Sequence, residues 1–169
     1  MNNVELVKKA KNGDKIAFSQ LYQEIYIEMY RYALTVLNNK YDAEDVVSET
    51  VLDAYRSLKL LKEEKSFKHW IFVILSNKCK RKLATYYEKN VSLDEEINVV
   101  DSKSEDIDER IMVKKSFAEL SFEEKSIVTY KAIYGYSSKE IAKYMNLNEN
   151  TVRSKLSRAL GKLKCKMEV

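Results

Sequence analysis

The residues with most chemistry to offer lie in the stretch YSSKEIAKYMNLNENTVRSKLSRALGKLK, residues 136–164. From about Glu149 the spacing predicts a helix with Val152, Leu156, Ala159, Leu160 and Leu163 on one side. Asn150, Ser154, Ser157 and Arg158 lie opposite, with Arg153 and Lys155 on the flanks. Amide, hydroxyl and guanidinium groups pair with base edges, and Lys and Arg also hold phosphates. Ahead of this helix, Ile141, Ala142 and Met145 give a shorter one an apolar face, and Asn146-Leu147-Asn148 makes a turn. The pair reads as a helix-turn-helix whose second helix enters the major groove. Its candidate DNA contacts are Asn150, Thr151, Arg153, Ser154, Lys155, Ser157 and Arg158. A plain amphipathic hairpin would share the spacing. Two capped helices and an exposed face without an acid favour DNA.

A second cluster is acidic. Residues 42–55, DAEDVVSETVLDAY, hold five acids and no base. On a helical wheel Ala43, Val47, Thr50, Val51, Ala54 and Leu58 point inward, whereas Asp45, Ser48, Glu49, Leu52, Asp53 and Arg56 point outward. Asp45, Glu49 and Asp53 recur at four-residue steps along one stripe and do not converge. That pattern speaks against a metal or acid/base site, which needs a concave pocket. Leu52 is the anomaly, an aliphatic side chain among acids. An apolar anchor ringed by charge suits protein docking, so Asp45, Glu49, Leu52, Asp53 and Arg56 form a candidate protein-binding surface.

A third stretch runs from aromatic to basic. Phe67, Ile71, Ile74 and Leu75 read as core, with Trp70, Phe72 and Val73 on other faces, and Lys78, Lys80, Arg81 and Lys82 follow. Rings beside cations suit single-stranded DNA, because bases stack on rings while Lys and Arg meet phosphates. Trp70 is either such a surface or simply a core ring. The single histidine, His69, has no nucleophile at a recognisable spacing, and no phosphate loop or zinc signature is present. Nothing in the chain calls for a cofactor or an enzymatic reaction.

These residues need elements to hold them. The chain has 169 residues, no proline and only three glycines, so long helices are expected and the fold reads as all-α. A short helix over 4–11 ends near Asn12-Gly13. Asp14 caps a longer one that stops around Asn38-Asn39. A third starts at Asp42, with Asp45 completing a capping pair, and runs to about Leu58. Ser66 caps a fourth. Ser121 with Glu124 and Ser137 with Glu140 form two further capping boxes, with Gly135 ending the helix between them.

Charge divides the chain. Residues 1–87 carry 15 basic and 11 acidic groups (+4), residues 88–110 carry 3 and 9 (−6), and residues 111–169 carry 12 and 6 (+6). Eight acids between Asp94 and Glu109 fall where helical periodicity is lost, which reads as a flexible linker. Such a segment spans about 25 Å on average and about 70 Å when drawn straight. The expected organisation is two small helical domains, 1–89 and 110–169, joined by an acidic linker over 90–109, the second domain carrying the helix-turn-helix. Cys79 and Cys165 are too few for a disulfide framework and read as inert thiols in a reducing compartment. The longest apolar run, Trp70 to Leu75, is far short of a membrane span, and the N-terminal residues lack a signal-peptide core. No membrane insertion and a cytoplasmic location are expected.

The combination resembles bacterial sigma factors of the extracytoplasmic-function class over nearly the whole chain. The resemblance is carried by Gly13-Asp14, Ala17-Phe18, Leu21-Tyr22, Tyr30, Ala33-Leu34, DAEDVVSET (42–50) and FKHWIFVIL (67–75) in the first block. In the second it rests on ELSFEEKSIV (119–128) and YSSKEIAKYMNLNENTVRSKLSRALGKL (136–163). It implies that Asp45, Glu49, Leu52, Asp53 and Arg56 dock on the clamp helices of core RNA polymerase. The loop from Lys59 to Ser66, with Lys59, Lys62 and Lys65, would capture a flipped base of the downstream promoter element. Trp70, Lys78, Lys80, Arg81 and Lys82 would hold the melting DNA, and the helix bearing Arg153, Ser154, Ser157 and Arg158 would read the upstream element. The linker would thread toward the RNA path. An anti-sigma factor is the expected inhibitor.

Two positions depart from the family pattern. Ser121 follows Leu120 where proline is common, and Asn148-Glu149-Asn150 replaces Pro-x-Gly, which bears on where those helices start. A free-standing helix-turn-helix regulator is the alternative, opposed by the acidic stripe. A nucleic-acid hydrolase is opposed by the lack of convergent acids.

Overall fold

The computed structural model describes residues 3–88 and 107–167. The described residues hold eight α-helices: α1 (Asn3–Lys11), α2 (Lys15–Leu37), α3 (Lys40–Ser57), α4 (Phe67–Glu88), α5 (Ile107–Ala118), α6 (Phe122–Ala132), α7 (Ser138–Met145) and α8 (Glu149–Met167). Two 3-10 turns, Leu58–Leu60 and Glu64–Ser66, lie between α3 and α4. The chain divides into two units, residues 1–87 and 88–169. Among the described residues no helix is long and apolar enough to cross a membrane.

In the first unit α2 is the central post. Asp14 accepts from the Ile16 and Ala17 N–H groups and starts it, and Asn38, in the left-handed region at φ 56°, ends it. Asn39 begins the next helix at once, its side chain accepting the Asp42 N–H at 3.0 Å. The expected start at Asp42 is therefore corrected: α3 begins at Lys40, directly after the cap Asn39, and the Asp42 carboxylate turns to α4. The expected Ser66 cap is also revised. Ser66 closes the second 3-10 turn, which runs straight into α4, and its hydroxyl donates to Glu63. Met29, Tyr32, Ala33 and Leu37 of α2 meet Ala43, Val47 and Ala54 of α3 in the core. From α4, Phe67, Ile71, Phe72 and Leu75 are buried. Phe72 packs edge-on against Tyr32, whose hydroxyl donates to Ser76 at 3.3 Å. Ile74 and Val51, expected inside, are only half-buried, while Phe72, read on another face, is buried. Cys79 is fully buried, and burial pushes its thiol up to about 12.

In the second unit Ile107 opens α5, so helix begins earlier than the expected boundary at 110. The linker reading for 90–106 lies outside the described residues. Both capping boxes are present, at Ser121/Glu124 and Ser137/Glu140. Gly135, at φ 67°, supplies the left-handed residue of the turn between α6 and α7. α6 is buried without a break from Glu124 to Tyr130, which makes it the heart of the unit. Leu120, Val128 and Ala159 form a core with Phe117, Leu156 and Leu163 packed on it. Tyr130, Tyr134, Tyr136 and Tyr144 pack together where α6, the turn and α7 meet, with Tyr136 and Tyr144 ring centroids 5.1 Å apart. Leu160 corrects the wheel: it is 50% exposed. The seam of α8 runs through Val152, Leu156, Ala159 and Leu163.

Candidate functional site

The surface of the first unit is built where α3 and α4 meet. Asp45, Glu49, Leu52 and Arg56 are exposed on α3, Leu52 at 56%, and Asp53 is half-exposed. The stripe is not left to water alone. Lys78 reaches across from α4, its Nζ 2.8 Å from Asp53 Oδ2 and 3.2 Å from Glu49 Oε2. Burial pulls the Lys78 ammonium down, but hydrogen bonds to Asp53 and Glu49 hold it above the ordinary lysine value. The hydrogen bond from Lys78 in turn holds the Asp53 carboxyl below its ordinary value. One turn later Lys82 pairs with Asp42 at 2.7 Å, and the Tyr86 hydroxyl donates to the same carboxylate. The Asp42 hydrogen bond raises the Lys82 ammonium; burial, then that bond, raises the Tyr86 hydroxyl. A cavity of about 190 Å³ opens here, lined by Asp45, Val46, Glu49, Lys78, Arg81, Lys82 and Thr85.

The four cations of the basic run therefore divide. Lys78 and Lys82 are tied to α3, while Lys80 and Arg81 face outward. Trp70 is half-buried, its ring 6.2 Å from that of Phe67. Lys59, Lys62 and Lys65 are exposed on the loop ahead of α4, and Leu60 among them is 77% exposed. The loop is held from behind: Lys11, at the end of α1, donates to the Leu61 carbonyl at 2.8 Å and to Glu64 Oε1 at 2.9 Å. Sequence reasoning missed both Leu60 and Lys11. No local pattern links Lys11 to a carboxylate 53 residues away, and no spacing within the short turn says that Leu60 faces out while Leu58 and Leu61 face in.

In the second unit, α7 ends at Asn146, φ 52°, and the Leu147 N–H reaches back to the Ala142 carbonyl at 2.9 Å. Asn148 starts α8, its side chain accepting from the Asn150 N–H at 2.8 Å. An asparagine thus does the work of the absent Pro-x-Gly. Asn150, Arg153, Ser154, Ser157 and Arg158 are exposed, and Thr151 and Lys155 are half-buried. Arg153 pairs with Glu149 at 2.6 Å, and Arg158 Nε donates to the Ser154 carbonyl at 3.3 Å. Lys155 pairs with Glu123 of α6 at 2.8 Å, which ties the flank of α8 to its own domain. The outer face keeps the amides, hydroxyls and guanidinium groups that groove recognition uses. Among the described residues no cluster of His, Cys, Asp and Glu could hold a metal.

Known proteins share this plan. Residues 21–86 match the family model for sigma-70 region 2, and residues 110–163 match that for sigma-70 region 4. The chain is 25% identical over 162 residues to the ECF RNA polymerase sigma factor SigM of Mycobacterium tuberculosis, covering 96% of this chain and 83% of that one. Two solved structures share the fold. CnrH, in complex with the cytosolic domain of CnrY, superposes with a TM-score of 0.76 at 22% identity, covering 98% of this chain and 97% of that one. The sigma factor RpoE of Bartonella quintana, in complex with the anti-sigma factor NepR, gives 0.73 at 20% identity, covering 90% and 97%. The two family matches fall on the two helical units in the expected order, so the chain belongs to the sigma-70 family, as an RNA polymerase sigma factor of the extracytoplasmic-function class.

Proposed function

We propose that each unit carries one half of promoter-directed initiation. Core RNA polymerase docks on α3 through Asp45, Glu49, Leu52, Asp53 and Arg56. Lys59, Lys62 and Lys65 on the loop and Trp70, Lys78, Lys80, Arg81 and Lys82 on α4 take the downstream element and the melting strand. Asn150, Thr151, Arg153, Ser154, Lys155, Ser157 and Arg158 on α8 meet the upstream element. The observation that carries this is Leu52, an aliphatic side chain standing 56% exposed within an acidic stripe, in the same chain as a capped helix-turn-helix. A free-standing regulator has no use for that stripe. The protein works in the cytoplasm, recruits a polymerase and performs no bond chemistry itself. An anti-sigma factor holds it inactive, a partner of the kind seen with RpoE of Bartonella quintana.

The test is run-off transcription with purified chain and bacterial core polymerase on a genomic promoter library. Association with core and promoter-dependent products are expected. Sequence-specific DNA binding that neither needs nor tolerates core would turn the assignment to the free-standing regulator.

A further inference from the structure

Lys11 is placed to do more than decorate the surface of α1. Its helix is anchored on α2, with Leu6, Val7 and Ala10 buried and the chain turned at Gly13, φ 98°, into the Asp14 cap of α2, and it also packs against both 3-10 turns of the loop. From that base one ammonium closes two acceptors at different points of the loop, the Leu61 carbonyl and the Glu64 carboxylate. Within the loop the Leu61 N–H bonds to the Leu58 carbonyl, the Ser66 N–H to the Glu63 carbonyl and the Ser66 hydroxyl to the Glu63 carboxylate, and the Leu58 and Leu61 side chains are buried; Lys11 ties the buried end of the loop to its exposed turn. It contains no proline to stiffen it. The Lys11 hydrogen bond holds the Glu64 carboxyl below its ordinary value. Lys11 and Glu64 are 22% and 26% exposed, and such a pair adds little to global stability. Its effect is on shape. With Leu61 and Glu64 drawn toward α1, Lys59, Leu60 and Lys62 are turned to solvent.

We propose that Lys11 is a positioning residue for promoter specificity: it holds the 58–66 loop in the form that receives the downstream element. The proposal rests on the reading of that loop given above. Lys11 acts through the loop, and it lies outside the residues 21–86 that match the region 2 model. A loop that visits its receptive form only part of the time binds more weakly by that fraction, and loses most where a fixed shape discriminates between bases.

The experiment uses holoenzyme assembled from the full chain and core polymerase. Two run-off template libraries are sequenced, one randomised in the downstream element and one in the upstream element, the other element being held at the sequence wild type selects. Lys11→Met should reduce discrimination in the downstream library by about threefold to tenfold, the scale of one or two net hydrogen bonds. The upstream preference and core affinity should stay as in wild type. Lys11→Arg should restore most of the loss, and Glu64→Gln, which spares the Leu61 bond, should fall between. Unchanged downstream preference in Lys11→Met would overturn the proposal. So would an equal loss in both libraries, which marks general destabilisation; Glu64→Gln, on an exposed loop, supplies the same readout if Lys11→Met does not fold. Leu60→Ala with Lys62→Ala separates the two ideas. If it leaves downstream preference intact, the loop reading itself has failed, and if it flattens that preference while Lys11→Met does not, only the role of Lys11 has.

Discussion

At the scale of single residues, the exposed groups are those that report function without disturbing the fold. Leu52→Ala combined with Asp53→Ala should weaken binding to core polymerase by about 2 kcal/mol or more, as an interface hot spot does. Circular dichroism and melting should change little, because Leu52 stands 56% exposed and Asp53 is half-exposed where it pairs with Lys78. Unchanged affinity in a core-binding titration would remove α3 from the interface. On α8, Arg158→Ala should cost about 1–3 kcal/mol of discrimination at one upstream base pair if the guanidinium leaves the Ser154 carbonyl to meet a base. A loss of equal size on every sequence would make it a phosphate contact instead.

The elements show what patterning can and cannot disclose. Both capping boxes were legible because their partners lie three residues apart. The start of α3 was not, since Asp42 and Asn39 are both good caps and only the chain geometry after Asn38 chooses between them. Leu160 follows the helical period yet stays exposed, because a period names a face without saying how wide the neighbouring helices cover it. The dual bond of Lys78 to Glu49 and Asp53 was invisible for a related reason: it joins two helices whose rotation relative to each other no spacing encodes. The box at α6 also yields a pH dependence. Burial pushes the Glu124 carboxyl up, but hydrogen bonds with Lys162 and Ser121 win and set its folded value below the ordinary one. Its contribution is therefore fully present above the unfolded glutamate value of about 4.3 and is lost as pH falls through the lower folded value. Thermal melts of Glu124→Gln across that acid range should show a shallower loss of stability than wild type, and parallel curves would mean the group is not linked to folding.

For the molecule as a whole, charge is arranged in blocks rather than summed. The net +4 hides a basic first block, an acidic middle and a basic second block. With Lys78 and Lys82 engaged by acids of α3, the cations free to release counterions from DNA on α4 are chiefly Lys80 and Arg81. Lys80→Ala with Arg81→Ala should lower the salt dependence of holoenzyme–promoter affinity by about two units of log–log slope. A slope that does not move would place the phosphates elsewhere.

Trp70 leaves one more consequence. It is the single tryptophan of a chain with twelve tyrosines, and it sits beside Phe67 at the start of α4, directly after the loop held by Lys11. Four of the tyrosines crowd together around α6 and α7 in the other unit. Light chosen to excite indole alone therefore interrogates only the first unit, and the wavelength of its emission registers whether water, nucleotide or protein lies against that ring. The isolated chain comes with its own optical reporter beside the loop expected to receive the downstream element, and a single strand bound there can be followed without attaching a dye.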